Sequence, residues 1–261
     1  MKTYIKLLIL MALVVVLSVA FAFVLQPFLP FTFYKVIRRL ITIFAVLGGA
    51  LFWKILLNKP LGELGLGLRR GWVKDLLAGF SMGIGAVVLY VTLALMMKLF
   101  KFELHRFGGE FLLVALWSLP AALLIGLVEE FFFRGFLLQT FLKDMKWPLA
   151  VFITTLAYAL VHIKAPFQAV STWEKLLGLF ILGLALAYAY LKTRSLYLPI
   201  GLHAGLIYAI RLRKFAFIEI PAGYERLFGD KWLVGGMISW VALFIIIFLI
   251  KIIPFSRSKG K

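Results

Sequence analysis

The chain contains no cysteine, which excludes disulfides, thiolate zinc sites and cysteine nucleophiles and leaves the redox compartment undefined. Asparagine occurs once, as Asn58, and histidine three times, as His105, His162 and His203. Acids are scarce, with 11 Asp and Glu against 29 Lys and Arg, for a formal charge of +18. Internal repeats and low-complexity segments are missing. So are the local signatures of four familiar hydrolase types. There is no HExxH zinc motif and no GxSG serine; GxSxG is spelled only by Gly79 to Gly83, inside the predicted helix 74–97 and not at the strand-to-helix turn an elbow needs; and a GxGD aspartyl motif fails because Leu227 precedes Phe228, Gly229 and Asp230.

What is abundant is apolar sequence: 64% of the 261 residues are hydrophobic, and the mean hydropathy is +1.04. A water-soluble domain of this size could not hide so much apolar surface in one core. A transmembrane helix needs about 20 mostly apolar residues, and such runs recur from end to end. The pattern predicts an all-α polytopic bundle of about eight transmembrane helices, at 5–25, 39–57, 74–97, 111–142 with a break near Pro120, 148–163, 175–191, 196–212 and 233–253. One integral membrane domain, 1–261, accounts for the whole chain. Lys2 and Lys6 before the first run resemble a signal peptide, but the run exceeds a usual signal core, which favours an uncleaved first helix.

The cations lie between the apolar runs, a distribution suited to anionic lipid headgroups and not to nucleic acid. Trp53, Trp72, Trp147, Trp173 and Trp232 stand at the ends of runs, as interfacial anchors do. Cations divide almost evenly between the two faces. An even helix count puts Lys251, Arg257, Lys259 and Lys261 on the side of Lys2, and the expected placement is a cell (inner) membrane with both termini cytoplasmic.

Against this background a few ionisable residues are out of place. Nine of the 11 acids fall in predicted loops or at helix ends; Glu129 and Glu130, inside ALLIGLVEEFFFRGFLLQTF, do not. Each such charge costs about 3 kcal/mol on insertion scales. His162 and His203 also lie within apolar runs. At 1.5 Å per residue, Glu130 is about 20 Å from Lys143, His162 about 20 Å from Pro148 and His203 about 14 Å from Arg194, so modest tilt brings them to one depth. Glu130 and Arg134, four apart, share a helix face, whereas Glu129 is rotated about 100° away. Arg134 can therefore neutralise Glu130 and leave Glu129 available as a general base. A purely structural reading makes Glu130 and Arg134 an interhelical staple and turns Glu129 toward a wet crevice. The coincidence of two intramembrane histidines with a Glu pair favours a functional site.

The elements EEFFFRG at Glu129 to Gly135, YALVH ending at His162 and SLYLPIGLHAGLI containing His203 resemble the CPBP family of CAAX proteases and bacteriocin-processing or immunity proteins, also called Abi. The resemblance covers residues 110–212 as a catalytic core and leaves 1–109 as accessory helices. It implies a peptidase in which Glu129 activates water with help from His162, His203 stabilises the oxyanion, and Glu130, Arg134 and Tyr158 support the site. Two positions depart from the family pattern. Tyr158 stands where Phe is usual, and Ile207, four residues after His203, replaces an Asn or Asp that would be a second oxyanion donor. A hydroxyl of Tyr158, Thr154, Thr155 or Tyr208 is the substitute the sequence offers.

Zn(2+) stays an open cofactor, with Glu129, Glu130, His162 and His203 as candidate ligands; the Glu and His mechanism does not require it. The expected function is an intramembrane endopeptidase acting on a membrane-anchored or membrane-inserted peptide. Eukaryotic relatives that the chain resembles take prenylated CAAX tails, although nothing in this sequence marks a prenyl pocket. A non-catalytic peptide-binding or bacteriocin-immunity protein is the alternative, motivated by Ile207. A proton-coupled transporter is a third, disfavoured by the lack of paired broken helices or a repeated half.

Overall fold

The computed structural model describes residues 60–98, 108–162, 169–213, 223–229 and 234–255, with single positions 48, 51, 54, 58 and 215. The chain divides into two compact units, 1–64 and 65–261. In the first, a 3-10 turn spans Leu61–Leu64 and Gly48, Leu51 and Lys54 are helical. The predicted helix 5–25 and the rest of 39–57 lie outside the described residues.

Every long element described in the second unit is a helix. They are α1 (Trp72–Met96), α2 (Gly109–Asp144), α3 (Trp147–Val161), α4 (Ala169–Thr193), α5 (Tyr197–Arg213) and α6 (Met237–Ile252). Among the described residues, α1, α2 and residues Trp173–Thr193 of α4 are long and apolar enough to cross a membrane, while α3 and α6 are shorter apolar helices. The protein is thus an α-helical membrane bundle. Apolar side chains left exposed, such as Leu112, Leu116, Trp117, Phe244 and Phe248, are what a lipid-facing surface requires.

The predicted break at Pro120 does not occur. Pro120 sits inside the helix, since a long apolar helix tolerates one missing amide donor. The irregularity of α2 lies further on, where Phe131–Leu138 adopts π-helical winding between the α-helical segments Gly109–Glu130 and Gln139–Asp144. Such wider turns inside a helix are commonly found at functional sites. Here the π segment begins immediately after the two glutamates and carries Arg134.

Helix α5 is the axis of the unit. All of Leu198 to Leu206 is buried, His203 included, as expected of a helix surrounded by others. Its tightest partner is α1, through two glycine pairs spaced four apart. A Cβ on Gly201 would lie 2.0 Å from the Leu76 carbonyl oxygen and one on Gly205 2.2 Å from that of Phe80. On α1, a Cβ on Gly79 would meet the Leu198 oxygen at 2.2 Å and one on Gly83 the Leu202 oxygen at 2.4 Å. Backbone therefore meets backbone with no side chain between them, the small-residue packing that replaces the hydrophobic effect inside a membrane. On another side of α5, Gly126 of α2 approaches Ile200 and Ala204.

Helix α6 closes the bundle against α1 and α4, with Leu243, Ile246 and Ile250 in a core shared with Val87, Tyr90 and Leu186. At its end, Lys192 Nζ donates to the carbonyls of Ile250 and Lys251 at 2.6 Å each. A cation thereby satisfies two of the carbonyls that a helix C-terminus leaves without partners.

Candidate active site

Glu130 is fully buried at the last α-helical turn before the π segment, and Arg134 is 1% exposed. Two charges this deep persist only when paired and hydrogen-bonded. Arg134 Nη1 donates to Glu130 Oε1 at 2.9 Å and Nη2 to the Gly183 carbonyl of α4 at 3.1 Å. The guanidinium carbon also lies 4.7 Å from the centre of the Tyr158 ring, a cation–π contact in a dry setting. The same Glu130 oxygen receives His203 at 2.8 Å from Nδ1. Glu130 thus ties α2 to α5, and Arg134 ties it to α3 and α4.

His162 ends α3 as its C-cap residue. Its backbone N–H turns back to Ala159 at 3.2 Å, and its ring Nδ1 reaches the carbonyl of Tyr158 at 2.8 Å. The partners of both imidazoles at Nδ1 are acceptors, a carbonyl for His162 and a carboxylate for His203. Each Nδ1 therefore carries the proton, and each Nε2 is left for other chemistry.

Both Nε2 atoms face one carboxylate oxygen: Glu129 Oε2 lies 3.4 Å from His162 and 3.7 Å from His203. Arg134 pairs with Glu130 as the helix spacing predicts, but Glu129 is not left alone, because it sits between two imidazoles. Its side chain is 27% exposed and that of His162 32%, against 0% for Glu130. The open edge of the cluster is therefore at Glu129 and His162, and the closed edge is at Glu130 and Arg134.

Tyr158 is buried between these groups. Its ring meets Phe133 edge-on at 5.1 Å and lies 4.6 Å from the His162 ring and 6.1 Å from that of His203. Among the other hydroxyls, Thr154 donates into its own helix, to Ala150 and Val151 at 2.8 and 3.1 Å. Tyr208 stacks on Phe80 of α1, with ring centres 5.7 Å apart. Thr155 keeps its Oγ1 buried with no partner and turns its methyl to Gly183. Ile207 is half-buried. Among the described residues, no group of three or more His, Cys, Asp and Glu side chains is arranged to hold a metal ion.

Glu129, Glu130, Arg134, Tyr158, His162 and His203 thus come together from three helices, as the common depth suggests. Two participants carry no sequence signal of the usual kind. The Tyr158 carbonyl could have been found from the four-residue step to His162, since that step places the ring over the preceding turn. Gly183 had no such pointer.

A helical membrane bundle with acids and imidazoles gathered in its interior is the architecture of a protein that does chemistry or transport within the bilayer. Residues 111–208 match the family model of the type II CAAX prenyl endopeptidase, Rce1-like. All six clustered residues fall within that match, so the part of the chain that holds the cluster is the part similar to that endopeptidase family. No curated protein matches the chain.

Proposed function

We propose that the protein is an intramembrane endopeptidase that cleaves a membrane-anchored or membrane-inserted peptide. The reading rests on one observation above the others: the carboxylate oxygen Oε2 of Glu129, a side chain at the open edge, lies between two imidazole Nε2 atoms whose opposite nitrogens are both anchored. A water held by Glu129 and the His162 Nε2 gives up one proton to the carboxylate as its oxygen attacks the peptide carbonyl carbon. His203 then donates to the resulting oxyanion from Nε2. With Nδ1–H committed to Glu130, it can do so only as an imidazolium. Collapse of the tetrahedral intermediate breaks the C–N bond, and the proton on Glu129 passes to the departing amine. One donor aimed at an oxyanion typically contributes about 3 kcal/mol to transition-state binding.

This route uses no metal. Anionic lipids are the expected surroundings of the cationic loops, and we place the protein in a cell inner membrane with both termini cytoplasmic. The test is cleavage of a lipid-anchored peptide by the purified protein in detergent. Glu129→Ala should abolish turnover, and undiminished turnover by that variant would refute the base assignment.

Ile207 favours a second reading. A side chain without a donor stands where the family pattern places Asn or Asp, so the same helices could hold a peptide without cutting it. Tight peptide binding by the unaltered protein with no product after long incubation is the outcome that would select this reading.

A further inference from the structure

We propose that Gly183, in the middle of α4, is a positioning residue of the site, acting on His203 through Arg134 and Glu130. The connection is continuous in space. The Gly183 carbonyl accepts Arg134 Nη2 at 3.1 Å, Arg134 Nη1 donates to Glu130 Oε1 at 2.9 Å, and that oxygen accepts His203 Nδ1 at 2.8 Å. A carbonyl oxygen has two lone pairs, so Gly183 can serve its own helix and the guanidinium together.

The absent side chain is what allows this approach. A Cβ on Gly183 would lie 2.7 Å from Thr155 Cγ2 and 3.3 Å from Tyr158 Cδ1. The first distance is too short for any packed pair, and Thr155 is β-branched and stiff at χ1. Added bulk must therefore push α4 away from α3. That motion withdraws the carbonyl from Arg134 and shifts Tyr158, whose ring stacks on the same guanidinium. Gly183 touches neither water nor substrate in the proposed reaction; its effect reaches the reacting atoms only through the orientation of the His203 ring.

The geometry also supplies a rescue. The Thr155 hydroxyl is buried without a hydrogen-bond partner, so Thr155→Ala sacrifices no hydrogen bond and removes the obstructing methyl. Gly183→Ala with Thr155→Ala moves one methyl from α3 to α4 and nearly conserves volume.

The inference deepens the proteolytic reading, yet one of its two readouts is independent of activity. In the first, 15N-histidine is incorporated and the Nδ1–H resonance of His203, assigned with a His203→Ala variant, is followed in detergent micelles. Gly183→Ala should shift or broaden that resonance, and the double variant should restore it to the position in Thr155→Ala alone. The second readout is peptide cleavage: Gly183→Ala should lower kcat by about 10²-fold with little change in KM, as expected for a misplaced catalytic group. The double variant should recover to the Thr155→Ala value. An unshifted resonance in Gly183→Ala overturns the proposal. So does a double variant that stays perturbed or unfolded. If the unaltered protein cleaves nothing, the protease reading fails while the resonance still decides the role of Gly183.

Discussion

Replacing Glu130 by Gln and Arg134 by Met, singly and together, probes the pair on which the site is built. Neither residue reaches solvent, at 0% and 1% exposed, and Glu130 Oε1 takes both the Arg134 and the His203 donors. Glu130→Gln keeps the shape and an acceptor for His203 but leaves a buried guanidinium without counter-charge. Arg134→Met leaves the carboxylate facing only an imidazole and frees the Gly183 carbonyl. Removing one member of a buried ion pair typically costs about 3–5 kcal/mol. Removing both charges with similar volume costs far less, because no uncompensated charge is left behind. The double variant should thus be no worse than either single one, which is a coupling energy of at least about 3 kcal/mol in a double-mutant cycle. Equilibrium unfolding in mixed micelles measures it. Single losses that add to within about 0.5 kcal/mol would show that the two residues do not share a desolvated contact, and the site would lose its anchor.

Three further outcomes follow from the same coordinates. Gly201→Ala places a methyl 2.0 Å from the Leu76 oxygen, so α1 and α5 must part; overpacking of this kind costs about 1–3 kcal/mol, and an unchanged midpoint in thermal unfolding would contradict the close approach. Dialysis against a chelator should leave cleavage unaltered, because the proposed route runs through Glu129, His162 and His203 alone; activity that disappears and returns with zinc would reassign those side chains as ligands. Ile207→Asn adds a donor one turn beyond His203 and should raise kcat, by up to about 10²-fold for a well-aimed oxyanion contact; no cleavage in either form would favour the peptide-binding reading.

The helices were legible where periodicity and length carry the information. Expected spans such as 74–97 and 196–212 differ from Trp72–Met96 and Tyr197–Arg213 by one or two residues at each end. The convergence of Glu129, Glu130, His162 and His203 could be anticipated because insertion cost makes each conspicuous, and rise per residue gives each a depth. Three features were not legible. The π segment at Phe131–Leu138 depends on backbone winding, which no residue type there announces, whereas Pro120 announced a break that the helix absorbs. The spacing of Gly79 with Gly83 and of Gly201 with Gly205 is visible in the sequence, but which helix meets which is a tertiary fact. Gly183 is one glycine among 22, and only its distance to Arg134 separates it from the rest.

The two adjacent glutamates divide the work by exposure. A general base must receive water and surrender its proton in every cycle, so it needs a path outward; the Glu129 side chain, at 27% exposed, lies toward the open edge, with its Oε2 buried against the two imidazoles. An anchor gains from having none, since its hydrogen bonds strengthen as water is excluded; Glu130, at 0%, is such a group. His203 belongs to both, with Nδ1 on the anchor at 2.8 Å and Nε2 toward the base at 3.7 Å. Its helix is locked to α1 by backbone contact, and its imidazole is aligned through Arg134 to α4. The position of Nε2 is therefore set by α5 locked on α1 and by the Glu130 and Arg134 pair of α2 tied to α4, while Glu129, the adjacent residue of α2, stands at the open edge. Such a frame can stay rigid while the edge formed by Glu129 and His162 admits a substrate, and that separation explains why one acid of the pair is sealed and its neighbour is not.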